Sequence, residues 1–260
     1  MRLFFLAALT ALTACSAHPT PVGVTLEDGE VLVGDITTDT LHLDGDLGAL
    51  AIPLDDVGVV LPVDAEKIAD SEGRVTVWLR NGSELRGTWQ QPELAVGMAV
   101  GGHTVHVDLP VGDIQAVQTR GSQEWPSGAL FRVQTVAGDD FLVDARRSRL
   151  PIENELGTFE PMLSECTMAV ALGDGTWRLE LKNGTVLLGR PKESALTFVL
   201  PMGPETLSVP LAKLARMDRG EWQPSSLRSA PEPMAEQKAR PALSSGEGWF
   251  DYRPMSAAKR

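Results

Sequence analysis

The sequence predicts an all-β protein of four small tandem modules, arranged as two pairs and followed by a disordered C-terminal tail. Three observations lead to this prediction. A β-hairpin signature recurs at intervals of roughly 50 residues, a spacing typical of repeated structural units. Apolar residues alternate with other residues within the predicted strands, as in a sheet that buries one face. A segment containing Arg-Gly, Trp and Pro-Ser follows only the second and fourth modules, which indicates that the modules duplicated as a pair.

The clearest copy of the hairpin signature runs from Val75 to Gly87. Its first strand has apolar residues at every second position, so they share one face. Asn81-Gly82 is a strong turn signal, because both residues tolerate the positive φ angles of a type I′ turn. Gly87, in the second strand, predicts a bulge or a sharp bend.

The other copies share the turn glycine and differ in the second strand. In the third module Val143 stands where a second glycine is expected, so this module is the divergent one. The turn and second-strand glycines of the other copies are Gly29 with Gly34, Gly184 with Gly189, and Gly138 without a second glycine.

These copies define the domain organisation. An alternative arrangement is one continuous β-sandwich in which the repeats exchange strands. The predicted pairs are residues 24–128, with modules at 24–64 and 75–119, and residues 129–222, with modules at 130–172 and 177–218.

The N-terminus has the features of an export signal. Arg2 precedes an apolar run that is too short to span a bilayer. The run ends in Leu12-Thr13-Ala14-Cys15, which resembles the lipobox of bacterial lipoproteins. The resemblance implies a signal peptide over residues 1–14 and a lipid on Cys15, followed by a tether over residues 15–23.

The same resemblance implies a location. In Gram-negative lipoproteins a residue other than aspartate after the lipidated cysteine, here Ser16, implies export to the outer membrane. An N-terminus with several acyl chains holds a membrane firmly, whereas a single chain holds it weakly. The alternative is an ordinary secretory signal cleaved near Ala17, which would give a secreted or periplasmic protein.

The C-terminal segment, residues 223–260, is rich in Pro, Ser, Ala and charged residues and shows no periodicity, a composition typical of disorder. It contains one aromatic island from Trp249 to Pro254. This island is either a short motif for a partner or a remnant packed on the folded body.

Charge and cysteine content limit the function classes. The 260 residues carry a formal net charge of −12, and such an acidic surface disfavours general nucleic-acid binding. With a lipid on Cys15, Cys166 is the single remaining thiol, so no internal disulfide is expected.

Each module resembles the small bent barrels of the Sm-like and SH3-like group. The resemblance lies in a hydrophobic-x-Leu-x-Asn-Gly-x-x-Leu-x-Gly string, found from Val77 to Gly87 and from Leu179 to Gly189. It implies a strongly bent meander of about four or five strands for each module. The following loop, residues 90–93, departs from the Sm pattern that binds RNA, so no RNA role is implied.

Two groups of residues are candidates for a metal site. His103 and His106 lie in or beside a predicted strand, where an odd spacing puts them on opposite faces, so a shared metal is not expected. Asp44, Asp46, Asp139 and Asp140 are weak candidates for calcium ligands. They lack the regular oxygen spacing of an EF-hand, and turn-forming residues are the simpler interpretation.

Cys166 is a candidate nucleophile, but it aligns with apolar residues of the other modules and follows Glu165, which disfavours a thiolate. It is therefore predicted to be buried and inert. Nearby Ser164 lacks a hydrolase motif. The basic run of residues 146–149 takes the place of a middle strand and is interpreted as a solvated loop. Trp125 and Trp222 are predicted to cover barrel ends.

These features favour a binding or assembly protein without enzymatic activity or a cofactor. Repeated modules do not bring polar groups together in one place, as catalysis requires. The expected partners are the membrane, through the N-terminal lipid, and an envelope protein. The alternative is a calcium-dependent carbohydrate-binding protein or enzyme with a site between the pairs.

Overall fold

The structure, a computed structural model, describes residues 20–219 without 64–72, 122, 123, 125 and 173. The described chain is all-β, as predicted, and its helical elements are short 3-10 turns. None of these described helical segments has the length and apolarity needed to span a bilayer. The predictions for Cys15, Trp125, Trp222, the C-terminal tail and its aromatic island concern residues outside the described ranges.

Each module contributes five strands, with one 3-10 turn before the fifth. Module one contains β1 (Thr20–Leu26), β2 (Val31–Ile36), β3 (Thr40–Gly45), β4 (Gly48–Pro53) and β5 (Val57–Pro62). Module two contains β6 (Arg74–Leu79), β7 (Glu84–Trp89), β8 (Glu93–Val100), β9 (His103–Pro110) and β10 (Ile114–Thr119). Module three contains β11 (Leu130–Thr135), β12 (Asp140–Asp144), β13 (Ile152–Asn154), β14 (Gly157–Phe159) and β15 (Cys166–Leu172). Module four contains β16 (Thr176–Leu181), β17 (Val186–Pro191), β18 (Ala195–Val199), β19 (Thr206–Pro210) and β20 (Leu214–Arg219).

The first strand begins earlier than the sequence predicts. β1 starts at Thr20, so residues 20–23 belong to the first module rather than to the tether predicted for residues 15–23. Thr20 pairs with Ile36 of β2, and its hydroxyl donates to Asp55 at 3.0 Å. These bonds hold the start of the strand in the sheet.

The two modules of the first pair exchange strands. β1 and β2 of module one pair with β10 and β8 of module two, which gives a sheet of β1, β2, β8, β9 and β10. We call this the first outer sheet. β3 pairs with β7 and β5 pairs with β6, which gives the first inner sheet, β3 to β7. A short β5–β10 pairing links the two sheets.

The second pair repeats this exchange. β11, β12 and β20 form the second inner sheet, with the β18–β19 hairpin beside β12. β13 to β17 form the second outer sheet. The all-β fold of two pairs is therefore confirmed. Strand exchange, which the sequence suggested only for the alternative arrangement, occurs within each pair.

The hairpin turns are three-residue loops, so the predicted type I′ geometry is wrong. In module two the Leu79 N–H donates to Ser83 O at 2.8 Å, and the Gly82 N–H donates to Leu79 O at 2.9 Å. This pattern belongs to a type I turn followed by a left-handed residue, here Gly82 with φ 80°. The Asn81 Oδ1 accepts from Ser83 N at 2.9 Å and stabilises the loop. The equivalent turn glycines with positive φ are Gly29, Gly138 and Gly184.

The second-strand glycines permit the exchange. The predicted bulge at Gly87 is absent, because the β6–β7 register is continuous there. Instead, these glycines let the third strand of the partner module approach the backbone closely. A Cβ atom would lie 2.5 Å from Gly97 O at Gly34, 2.9 Å from Asp44 O at Gly87, and 2.7 Å from Glu153 O at Gly189.

Module three shows what happens without this glycine. Val143 occupies the position, and β18–β19 forms a separate two-stranded sheet beside β12. Side chains replace the missing pairing: the rings of Phe141 and Phe198 meet edge to face at 6.2 Å. The Val199 N–H donates to Ser148 Oγ at 3.3 Å, so an amide of β18 still has an acceptor.

Candidate functional site

The two pairs meet where β7 of the first inner sheet lies beside β12 of the second inner sheet. Glu84 and Asp140 stand opposite each other in antiparallel register. Like charges in this position are destabilising, but each carboxylate has a cation in its own module. The Arg86 Nη2 lies 2.6 Å from Glu84 Oε1, and the Arg132 Nε lies 2.6 Å from Asp140 Oδ1.

Two reciprocal hydrogen bonds close this junction. The Arg86 N–H in β7 donates to Asp139 Oδ1 at 2.9 Å, and the Leu142 N–H in β12 donates to Ser83 Oγ at 3.0 Å. In both cases the acceptor residue directly precedes the second strand of its module, and the donor is the third residue of the opposite strand. The junction is therefore built twice from the same arrangement, and it satisfies amide groups at two strand edges.

Asp139 is the buried carboxylate of the junction. Its Oδ2 accepts from the Thr135 hydroxyl at 2.9 Å, and its Oδ1 accepts from the Arg86 N–H. Burial raises the pKa of Asp139, and the nearby Asp46 carboxylate raises it further, while these hydrogen bonds and the Arg86 cation act in the opposite direction. The ionised form is thus less stable here than in an unfolded chain.

The raised pKa of Asp139 gives a pH-dependent prediction for Asp139→Asn. The unfolded chain releases this proton near pH 3.8 and the folded chain at higher pH, so the wild type loses stability across that window as the pH rises. We expect Asp139→Asn to gain stability relative to the wild type over the same window and to keep a constant difference above it. Urea unfolding of both proteins between pH 3.5 and 7 measures this difference in stability.

Asp174→Asn is a control for which the opposite pH dependence of stability is expected. A hydrogen bond from the Thr176 N–H lowers the pKa of exposed Asp174, so this variant should lose stability relative to the wild type as the pH rises. A pH-independent difference between Asp139→Asn and the wild type would contradict the assignment.

Two turn contacts flank the junction. The Lys213 ammonium contacts the Asp46 backbone oxygen and lies 3.6 Å from its Oδ1. On the other side the Gly203 N–H donates to Asp56 Oδ2 at 2.9 Å. Burial raises the pKa of Asp56, although this hydrogen bond lowers it. Each contact joins a 3-10 turn of one pair to the loop between the third and fourth strands of a module in the other pair.

The junction brings together some of the carboxylates that the sequence proposed for calcium. The Asp46 carboxylate, from the first pair, raises the pKa of Asp139, from the second pair, across this junction. Asp140 is bound by Arg132, and Asp44 is exposed on β3. The described residues contain no group of three or more His, Cys, Asp or Glu side chains suited to a metal ion. The carboxylates of Asp46, Asp139 and Asp140 contact donors or cations of the chain itself.

The basic run lies in a loop, as predicted, but it does not replace the middle strand. β13 persists as three residues, Ile152–Asn154. Arg149 lies 3.7 Å from Glu160, with both side chains largely exposed, whereas Ser148 is fully buried. His103 and His106 are exposed on β9.

Cys166 is buried, as predicted. It opens the fifth strand of module three, the position held by Val57, Ile114 and Leu214 in the other modules. Burial raises the pKa of its thiol to about 11, and the Glu165 carboxylate adds to this effect. The Cys166 Sγ lies 3.6 Å from Met162 O.

This environment predicts an inert thiol. We expect Cys166 to react with a thiol reagent about a hundredfold more slowly in native buffer than in urea, because the thiolate is the reactive form. The measurement uses a Cys15→Ser chain, so that only one thiol is present. Cys166→Val should cost less than about 1.5 kcal/mol of unfolding free energy, as a swap of similar volume does. Fast native labelling would contradict burial.

The sequence indicates Asp139 and Asp140 only as calcium candidates and gives no role to Ser83 or Arg86, although a signal for the junction is present. The residue before the second strand is a hydroxyl in modules two and four, Ser83 and Thr185, and a carboxylate in modules one and three, Glu30 and Asp139. This alternation matches an interface in which a hydroxyl and a carboxylate serve as reciprocal acceptors.

In the outer sheets the equivalent strands, β2 and β17, pair with β1 and β16 along one edge, and their other edge is only partly paired in the described chain. β2 pairs with β8 only at its last two residues, and β17 pairs with β13 only at its last two. The first halves of both strands carry exposed apolar side chains. These are Val31 at 49%, Val33 at 61%, Val186 at 48% and Leu188 at 52% exposure.

We call these two strand halves, residues 31–33 and 186–188, the free edges, because no further strand pairs with them in the described chain. The Leu188 backbone oxygen accepts from the Asn154 side chain at 3.1 Å. Large exposed apolar side chains rimmed by polar groups typically mark interaction surfaces. No protein-family model, curated protein or solved structure was found to match the chain.

Proposed function

We propose that this chain is a non-enzymatic assembly protein of the bacterial envelope, held to the outer membrane by a lipid on Cys15. The observation that supports the assembly role is the pair of apolar free edges on β2 and β17. A strand edge with exposed apolar side chains pairs readily with another strand, and natural proteins usually protect such edges. Polar groups at the β7–β12 junction bind one another within the chain, whereas the free edges are exposed.

The anchor is proposed from the sequence alone. Leu12-Thr13-Ala14-Cys15 follows an apolar run with Arg2 before it, and Ser16 follows the cysteine. The alternative remains a secreted or periplasmic protein released after cleavage near Ala17. The two alternatives differ in the cleavage site and in the presence of lipid on Cys15.

Metabolic labelling tests the anchor. A palmitate analogue is expected to label the wild type and to miss Cys15→Ser, because the thioether at Cys15 requires its sulfur. Cys166→Ser is the matched control and should keep the label. Equal labelling of the wild type and Cys15→Ser would contradict the anchor proposal and favour a secreted protein.

A calcium-dependent carbohydrate-binding protein or enzyme is the second candidate. The proximity of Asp46 and Asp139 between the pairs favours it. A calcium titration between micromolar and millimolar concentrations separates the two. The assembly role expects no change in melting temperature, whereas a shift that is lost in Asp44→Asn/Asp46→Asn would support the second candidate.

Crosslinking of the protein in its native envelope tests the assembly role directly. We expect a small number of specific adducts, and we expect introduced arginines at Val33 or Leu188 to reduce them. Leu172→Arg, which changes an exposed apolar residue outside the free edges, is the control. Turnover of a small substrate by the pure protein, together with no specific adduct, would overturn the assembly role.

A further inference from the structure

We propose that copies of this chain join head to tail, with β17 of one copy pairing with β2 of the next. The contact repeats the β7–β12 junction inside the chain. This inference rests on the proposed assembly role, and the partner is a second copy of the chain.

The four strands occupy equivalent places in the repeat. β2, β7, β12 and β17 are the second strands of their modules, and each follows the same three-residue turn. In the junction the first half of β7 lies beside the first half of β12. The corresponding halves of β2 and β17 are the free edges. The free edges of β2 and β17 are therefore surfaces of the same type as the two edges that pair within the chain.

The hydrogen-bonding groups are also complementary. In the internal junction the hydroxyl of Ser83 and the carboxylate of Asp139 accept from amides of the opposite strand. At the free edges Thr185 precedes β17 and Glu30 precedes β2. By the same register, the Thr185 hydroxyl would accept from the Val33 N–H, and the Glu30 carboxylate from the Leu188 N–H.

The side chains suit burial between two copies. Val31 and Val186 would take the places of Glu84 and Asp140, whose charges need neighbouring arginines. Two valines opposite each other need no such compensation, and β-branched pairs stabilise antiparallel strands. Leu142, the internal equivalent of Leu188, is 3% exposed.

The flanking turns extend the match. Internally, Asp56 of a 3-10 turn accepts from Gly203 in the β18–β19 turn. Asp113 is the equivalent of Asp56 in module two, and the β13–β14 turn is the equivalent of the β18–β19 turn. That turn carries Leu156, which is 83% exposed. Docking would place Leu156 against the 3-10 turn of residues 111–113.

A contact between two different surfaces of the same chain is heterologous, so it leaves a free edge at each end of every dimer. It generates a ring if the rotation closes and an open filament if it does not. Pairing of β2 with β2, or of β17 with β17, would instead stop at a dimer.

Complementing variants test the proposal. We use the full chain with Cys15→Ser, so failure here leaves the anchor proposal untouched. The wild-type edges should give concentration-dependent oligomers in sedimentation velocity. Val33→Arg and Leu188→Arg should each be monomeric, and their equimolar mixture should form dimers that grow no further. Leu172→Arg should assemble like the unmodified edges.

Disulfide trapping gives a second measurement that does not depend on arginine at an edge. A chain with Val31→Cys mixed with a chain with Val186→Cys should crosslink on oxidation, and neither should crosslink alone. Monomeric unmodified chain at all concentrations would overturn the proposal. Dimers formed by either arginine variant alone would also overturn it, because they would show that like edges pair. Oligomers that persist in both arginine variants would likewise overturn it, because they would assign the contact to another surface.

Discussion

Residues 20–63, the first module alone, are expected to form no folded monomer, whereas residues 20–128 should fold cooperatively. The reason is the strand exchange: β1, β3 and β5 find their partners β10, β7 and β6 in module two. Without them, the module keeps two separate hairpins, and an isolated hairpin is at best marginally stable in water. Circular dichroism with urea unfolding measures the difference, and residues 129–222 should behave like 20–128.

A fragment cut across the module boundary is the sharpest control. Residues 38–91 contain all five strands of the first inner sheet in one continuous segment. This fragment should show more β-structure than residues 20–63, although it is small enough to be marginal. A concentration-independent, cooperatively unfolding monomer of residues 20–63 would contradict the exchange.

Gly34→Ala is expected to destabilise the protein by about 1–3 kcal/mol, the usual cost of overpacking. A Cβ atom at Gly34 would lie 2.5 Å from the backbone oxygen of Gly97 and 2.8 Å from a methyl group of Val96. A backbone oxygen cannot rotate away as a side chain can, so β8 must shift. Module three indicates the result, since Val143 at this position accompanies an unpaired β18–β19 hairpin.

Gly112→Ala is the matched control. It has open space around the added methyl group and should change stability little. Urea unfolding gives the free energies, and amide hydrogen exchange should show faster exchange in β8 of Gly34→Ala than in the control. Unchanged stability and unchanged exchange would mean that the close approach at Gly34 does not hold β2 and β8 together.

The sequence predicted the strands and hairpins well, because alternation and turn glycines are local properties. It did not fix the turn type at Asn81-Gly82. This dipeptide supplies a glycine at positive φ in both candidate turns, and the length of the loop decides between them. Cys166 was placed correctly from its alignment with apolar residues, since a core position leaves a repeated apolar pattern.

Strand partners were harder to predict. An alternating pattern shows which face of β3 is buried, but it is the same whether the neighbour is β2 or β7. In sequence Gly87 predicts a bulge or a sharp bend, whereas in the structure Gly34 and Gly87 both mark close approach by a strand of another module. The junction depends on Asp139 and Ser83, which are ordinary turn residues in sequence and acquire their role only when the inner sheets meet.

The exchange of strands also restricts how such a gene can change. One module on its own cannot complete its sheets, because three of its strands pair with strands of a second module. Unequal recombination that removed a single repeat would leave the other module of its pair without partner strands for its sheets. Insertions and losses that survive selection should therefore come in steps of two repeats, and descendants of this array should contain an even number of them.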